Sequence, residues 1–333
     1  MARITVLGAG GWGTALAALA VSKRSPVTLW CRRAGLAREI ARARRNEAYL
    51  PGVTLPEELV VTDNLSSAVA EANVVVWAVP SAGLRAVAHL VSGAGTLPAT
   101  AVFVSAVKGI EAGTHLRMSQ VLSEVFPRQA VTALSGPNHS EEVSRNVPAA
   151  TVLAGAPDLA AELQQLLSTP HFRIYTSTDL PGVEVGGALK NVFALAAGMS
   201  DGLGFGDNSK AALTTRALAE MVRLGTVLGG RRDTFYGLSG AGDLMVTAFS
   251  RHSRNRRVGE RLGRGERLEA IVAGMNMVAE GIPTTRAARE LARARGVDAP
   301  LTEAVGAILF DNRNVMEVLQ DLLERNLRAE DPA

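Results

Sequence analysis

The sequence predicts an α/β chain, with an N-terminal doubly wound, largely parallel sheet followed by an all-helical C-terminal domain. Three observations predict it. Short β-branched runs alternate with helical patterns through the first half, a glycine-rich turn joins the first strand to the first helix, and after Asp179 helical patterns take over. A chain of 333 residues is long enough for two domains, taken as 1–180 and 181–333, and a core of that size needs no disulfides.

Residues 4–7, 27–30, 59–61, 74–79, 101–106 and 131–134 are short apolar runs that read as buried strands. Between them, 14–22, 36–45, 66–72, 84–91 and 116–126 carry helical spacing, and strict alternation of the two implies parallel strands joined by crossovers. Runs at 150–154 and 172–176 flank a helix near 159–167 and extend the sheet. Residues 182–199, 210–228, 244–250, 285–295 and 302–310 read as helices, and the polar tail after Asn326 is expected to fray.

Composition excludes several classes. Cys31 is the single cysteine, so there is no disulfide framework within the chain and no cysteine-rich metal site, and a reducing, cytoplasmic setting is expected. No metal is expected. Met1 leads into the strand at Ile4 without a basic region or cleavage site, so no secretory signal is expected. Apolar stretches such as 74–79 end long before membrane-spanning length. A net charge of +3 suits anionic small molecules and is too weak for nucleic acid. The arginine-rich stretch 251–267 is interrupted by Glu260 and Glu266, and Phe249 is its nearest aromatic, so it offers no stacking platform.

Gly8-Ala9-Gly10-Gly11-Trp12-Gly13 lies between the first strand and the first helix with GxGxxG spacing. Gly8 permits the tight turn, Gly10 lets backbone N–H groups approach a pyrophosphate at the helix N-terminus, and Gly13 completes the pattern. The pattern makes the sheet Rossmann-type. At the end of the second strand, where an acid would bind the ribose of NAD, stand Cys31, Arg32 and Arg33. Two arginines there either receive a 2′-phosphate, favouring NADPH over NADH, or simply begin a solvated loop.

Only four of the 35 basic residues are lysines, so 31 are arginines, and a lysine that survives such a bias is a candidate for work a guanidinium cannot do. Lys23 and Lys210 sit in polar, replaceable contexts and read as surface residues. Lys108 lies in SAVKGIE and Lys190 in GGALKN, where the only other charged residue between Leu180 and Ser200 is Glu184. Gly186, Gly187, Ala194 and Ala197 leave room for a ligand beside the Lys190 amine, and apolar surroundings lower its pKa, as a proton donor to a reduced carbonyl requires. Asn191 either holds a substrate oxygen or serves a structural role. Asp243, before an apolar helix, reads most simply as an N-cap. Ser253, Arg254 and Asn255 have the chemistry to clamp a phosphate, while Arg256 and Arg257 read as a solvated face.

Together these segments resemble the bacterial NAD(P)-dependent glycerol-3-phosphate dehydrogenase family over nearly the whole chain: GAGGWGTALA, NEAYLPG, VKGIE, SGPNHSEEV, GGALKNVFALAAGMSDGLGFGDN, GLSGAGDL, SRNRRVG and VAEGIPT occur in order. The resemblance implies reversible reduction of dihydroxyacetone phosphate to sn-glycerol 3-phosphate, a precursor of glycerophospholipids, and a homodimer. It implies dinucleotide contacts at Gly11, Trp12, Arg32, Arg33, Ser140, Val278 and Glu280. Lys108 is implied to touch both cofactor and substrate, with Gly136 and Asn138 bordering the substrate. Lys190 is the implied proton acceptor in the oxidation direction, and Asp243, Ser253, Arg254 and Asn255 are implied substrate contacts, Arg254 also lying near the cofactor. Asn138, Ser140 and Val107 depart from the usual serine, alanine and threonine. The rival readings are another hydroxyacid or sugar-acid dehydrogenase and a non-catalytic NAD(P)-sensing protein. The first places asparagine or histidine about three residues after its lysine, where this chain has Phe193 and Ala194; the second has no need of Lys190, Asp243 and Arg254 together.

Exchanging Arg32 and Arg33 for neutral residues is expected to raise KM for NADPH far more than KM for NADH in steady-state kinetics. Equal effects on both cofactors would remove the 2′-phosphate role.

Overall fold

The computed structural model describes residues 1–23, 25–327 and 329–330, so the tail beyond Asn326 lies partly outside the described residues. Strands β1 (Ile4–Leu7), β2 (Val27–Trp30), β3 (Val60–Thr62), β4 (Val74–Trp77), β5 (Val102–Ser105), β6 (Val131–Ser135), β7 (Ala149–Ala154) and β8 (Phe172–Ser177) form one sheet in the order β8-β7-β6-β5-β4-β1-β2-β3. The run from β6 to β3 is parallel throughout. β7 joins β6 antiparallel and carries β8 parallel to itself. The two late runs therefore do extend the sheet, in reversed direction.

Alternation along each central strand divides the core in two. Ile4, Val6, Val74 and Val76 pack on one face with α1 (Gly11–Val21) and α2 (Ala34–Ala43). Leu7, Val75, Trp77 and Phe103 pack on the other with α3 (Leu65–Val69), α4 (Leu84–Ala94) and α5 (Met118–Val125). Both faces are covered, as a parallel sheet requires. The short α6 (Ser140–Val143) and then α7 (Pro157–Leu167) complete this half.

The sequence predicts a helix over 36–45, but the chain leaves α2 at Arg44, which adopts the left-handed conformation (φ 51°). It then forms a small antiparallel hairpin, Arg45–Asn46 against Leu50–Thr54. These strands are too short to show a period in sequence. Asn46 Nδ2 pins the hairpin over the glycine turn by donating to Ala9 O (2.9 Å) and Thr14 Oγ1 (2.8 Å).

From Leu180 onward the described elements are helical: α8 (Leu180–Gly202), α9 (Asp207–Val227), α10 (Asp243–Phe249), α11 (Arg254–Gly263), α12 (Leu268–Ala273), α13 (Gly281–Arg295), α14 (Pro300–Phe310) and α15 (Val315–Leu323). α8 is buried without a break from Gly182 to Ser200, so the other helices wrap around it. Its start is capped by Asp179, whose Oδ1 accepts from Gly182 N (3.0 Å). Within it, Glu184 accepts from Ser119 N (2.7 Å), Ser119 Oγ (2.6 Å) and Arg117 Nη1 (2.5 Å), tying the helix to α5 of the sheet domain. α11 forms within the stretch that reads in sequence as a basic cluster, and α12 follows it.

Two surface expectations are overturned. Lys210 is 8% exposed; it donates to both carboxylate oxygens of Asp201 (2.9 and 2.8 Å) and sits 4.9 Å over the Phe249 ring. Arg256, expected on a solvated face, reaches the same Asp201 at 2.5 Å, joining α11 to the end of α8. Arg257 is exposed, as expected.

Further along α9 from Lys210, fully buried Glu220 accepts from Leu301 N (2.8 Å), Thr302 N (2.8 Å) and Thr302 Oγ1 (2.6 Å) at the start of α14. Glu220→Ala strands these donors and is expected to cost about 2–4 kcal/mol in denaturant unfolding.

Candidate active site

The carboxyl ends of β1, β2, β4 and β5 open on a cleft of about 680 Å³, closed on its other side by α8, α11 and the segment before α13. This is the crevice in which doubly wound sheets bind ligands. Gly8 takes φ 114°, and a Cβ there would lie 2.6 Å from Ala78 O, so the turn presses against the end of β4. At Gly13 a Cβ would meet Gly8 O at 1.9 Å. Gly10, in contrast, has nothing within 4 Å of a Cβ position. No side chain caps α1 and no acid stands in its first turn, so its first N–H groups remain available to an anion. This cradle, with the buried unpaired Trp12 Nε1 beside it, fits a dinucleotide pyrophosphate and its neighbouring groups.

Arg32 and Arg33 are exposed at the mouth of the cleft. Arg33 donates from Nη2 to Tyr49 Oη (2.9 Å) and lies 5.3 Å over that ring, so the hairpin orients it. Ser140 Oγ lies 3.0 Å from where a Gly11 Cβ would stand, which brings α6 onto the glycine turn. On the far wall, Arg254 Nη1 donates to Val278 O (3.0 Å). Glu280 crosses the cleft, accepting from Ser81 N (2.9 Å) and Ser81 Oγ. Burial raises its carboxyl above the ordinary value despite Ser81 and Arg254.

At the floor, two lysines meet one carboxylate. Lys108 Nζ, arriving from β5, donates to Asp243 Oδ2 (2.5 Å) and Gly136 O (2.8 Å). Lys190 Nζ, from α8, donates to Asp243 Oδ1 (2.8 Å) and Thr247 Oγ1 (2.7 Å). Asp243 is 1% exposed and heads α10 behind a π-turn at Leu238–Gly242. It is not the N-cap expected from sequence: Gly242 holds that position, and the carboxylate faces the lysines. Burial alone would raise the Asp243 carboxyl, but the two ammonium groups hold it below its ordinary value. Burial lowers Lys190 to about 8, Asp243 opposing that fall and Lys108 adding to it. An ammonium has three protons, so each lysine keeps one donor free of these contacts.

The sequence suggests that the glycines beside Lys190 leave room for a ligand, and the structure overturns this, because protein atoms fill the space at Gly186 and Gly187. A Cβ at Gly186 would lie 3.0 Å from Ser239 O, and one at Gly187 2.2 Å from Ser135 Oγ. They let α8 press against the π-turn and the end of β6. Gly136 (φ 156°) likewise passes against Thr151, where a Cβ would meet Cα at 2.9 Å. Asn138 Nδ2 donates to Ala150 O (3.1 Å), leaving its buried Oδ1 unpaired.

Ser253 caps α11 by accepting from Arg256 N (3.1 Å), which leaves the earlier N–H groups at that terminus for a ligand. Asn255 is buried and engaged on both sides: Nδ2 donates to Asn191 Oδ1 (2.8 Å) and Oδ1 accepts from Gly281 N (2.9 Å). Sequence reasoning missed Thr247, although its spacing of four from Asp243 puts both on one helical face. It also missed His139 and His252, whose rings lie 6.0 Å apart. Burial and nearby Lys190 hold His139 below the ordinary imidazole range. Among the described residues no cluster of acids, histidines and cysteines could hold a metal.

Two family models match the chain: the N-terminus of NAD-dependent glycerol-3-phosphate dehydrogenase over residues 3–161, and the C-terminus of the same family over 179–320. A glycerol-3-phosphate dehydrogenase [NAD(P)+] of Geobacillus thermodenitrificans is 49% identical, with 99% of this chain and 97% of that protein covered. The similarly named protein of Pelodictyon phaeoclathratiforme is 47% identical, with 98% and 99% covered. Among solved structures, glycerol-3-phosphate dehydrogenase from Coxiella burnetii superposes with a TM-score of 0.93 at 34% identity, covering 97% of this chain and 99% of that one.

Asp243→Asn removes the charge that opposes the fall of the Lys190 pKa while leaving Lys108 in place. Lysine ¹³C NMR titration is expected to place Lys190 below the value of about 8 in the unaltered protein. An unchanged or higher value would show that the carboxylate does not set this ionisation.

Proposed function

The chain belongs to the NAD-dependent glycerol-3-phosphate dehydrogenase family, and we propose that its cleft reversibly reduces dihydroxyacetone phosphate to sn-glycerol 3-phosphate with NAD(P)H, supplying glycerophospholipid synthesis. The observation that carries this reading is the Lys108–Asp243–Lys190 triad at the floor of the cleft that also holds the glycine turn. Residues 1–180 supply most of the dinucleotide contacts and 181–333 most of the substrate contacts, with Lys108, Gly136 and Asn138 reaching the substrate from the first part and Arg254, Val278 and Glu280 reaching the cofactor from the second.

A bound reduced nicotinamide supplies hydride to the carbonyl carbon. The protein's task is to hold that carbon and manage the charge growing on its oxygen. Lys190 directs its free N–H at the oxygen, stabilises the developing alkoxide and passes it a proton. A pKa of about 8 keeps the ammonium mostly charged at neutral pH, yet lets it act as base in the oxidation direction. Lys108 contributes its remaining donor to substrate and cofactor alike. Asp243 is assigned to holding both ammonium groups in place, and Thr247 aids it by orienting Lys190. The substrate phosphate rests on the N-terminus of α11 with Arg254 and Asn255, which fixes the carbonyl relative to Lys190. Gly136 and Asn138 border the substrate's other end.

On the cofactor side, Gly8, Gly10, Gly11, Trp12 and Gly13 hold the pyrophosphate, and Ser140, Val278 and Glu280 lie along the same wall. No acid lines the cleft beside Arg32 and Arg33, which favours NADPH while NADH remains usable. No described helix is long and apolar enough to cross a membrane. A cytoplasmic homodimer is part of the proposal and rests on family resemblance.

NADPH absorbance is expected to fall when dihydroxyacetone phosphate is added to the protein. Lys190→Arg keeps the charge but cannot readily lose a proton, so turnover should drop by about 100-fold or more while the fold persists. Near-normal turnover in that variant would exclude Lys190 as the proton carrier.

A further inference from the structure

Helices α8 and α11 meet backbone to backbone. A Cβ at Gly198 would lie 1.9 Å from Arg256 O, and one at Gly259 would lie 2.0 Å from Leu195 O. A turn further along, a Cβ at Gly202 would fall 2.2 Å from Glu260 O and one at Gly263 2.4 Å from Met199 O. The spacing of four on both helices places these glycines along one seam. Any side chain there would push the helices toward the ordinary separation of roughly 8–10 Å.

The seam ends at the cleft in a chain of buried amides. Asn191 Oδ1 accepts from Asn255 Nδ2 (2.8 Å), and Asn255 Oδ1 accepts from Gly281 N (2.9 Å). Asn191 and Asn255 are 4% and 7% exposed, so neither amide can exchange its partner for bulk water. Asn191 Nδ2 leans back on Gly187 O at 3.4 Å, within its own helix. Asn191 therefore reaches the first turn of α11, while its chain neighbour Lys190 reaches Asp243.

We propose that Asn191 is a positioning residue: through Asn255, and on the glycine seam, it sets the N-terminus of α11 at a fixed separation from Lys190 Nζ. A substrate held by its phosphate at α11 then presents its carbonyl to the amine. This rests on the reading of α11 as the phosphate site. Asn191 acts through Asn255 and need not touch the substrate.

Steady-state kinetics with dihydroxyacetone phosphate and with glycolaldehyde, a hydroxyaldehyde lacking the phosphate, test it. Asn191→Ala is expected to lower kcat/KM for dihydroxyacetone phosphate about 100-fold, the scale of a misplacement near 1 Å, and for glycolaldehyde by less than about threefold. Gly259→Ala, which pushes on the same seam from the other helix, should give the same split if Asn191→Ala does not fold. In an Asn255→Ala background, adding Asn191→Ala should cost little more. Equal losses on both substrates, or fully additive losses in the double variant, would overturn the positioning role. If the unaltered protein shows no preference for the phosphorylated substrate, the phosphate reading itself fails and this proposal with it.

Discussion

A single buried carboxylate governs the arrangement of the cleft. Asp243 binds Lys108 at 2.5 Å and Lys190 at 2.8 Å, one from the sheet domain and one from the helical domain. Stripping water from three charges is costly, and only tight mutual pairing offsets it. The pairing is incomplete by design of its charges, since two ammonium groups face one carboxylate. The residual positive charge is suited to an anionic substrate and to an oxygen that becomes negative during reaction. Desolvation and like-charge repulsion together bring Lys190 to about 8, where it can both give and take a proton.

The rest of the helical domain serves to bring these groups to one place. α8 is buried on every side because small residues let its neighbours approach closely: the π-turn at Gly186, β6 at Gly187 and α11 at Gly198. Lys190 is thus carried on the most enclosed helix of the molecule, and the ligand-facing end of α11 is seated against that helix. The sheet domain contributes Lys108 and the glycine turn, and Ser81–Glu280 and Ser119–Glu184 make further crossings between the halves.

Much of this is legible in the sequence. The strand–helix alternation, the Rossmann-type turn and the switch to helices after Asp179 all appear where the periodicities place them. Lys190 stands out because arginine replaces lysine nearly everywhere, and its apolar neighbours in sequence agree with its burial. Lys210 shows the weakness of the same reasoning: its polar neighbours in sequence suggested exposure, yet Asp201 and Phe249 bury it. The glycines around Lys190 announced small volume correctly, but volume in sequence does not say what fills it. Backbone fills it here.

Local physical chemistry explains the division between the two sources. The sequence by itself determined the properties that depend on a few neighbouring residues: strand and helix periods, the sharp turn that only Gly8 permits, and the absence of an acid beside Arg32 and Arg33. It also determined which side chains are able to transfer a proton. Only the tertiary structure decided which of them meet. Lys108 and Asp243 are 135 residues apart in the chain, and Asp243 alone has the look of a helix cap. Its role as the shared partner of two lysines arises when folding removes water from all three, because charges confined together in a low-dielectric interior must pair with whichever opposite charge the fold has placed within reach.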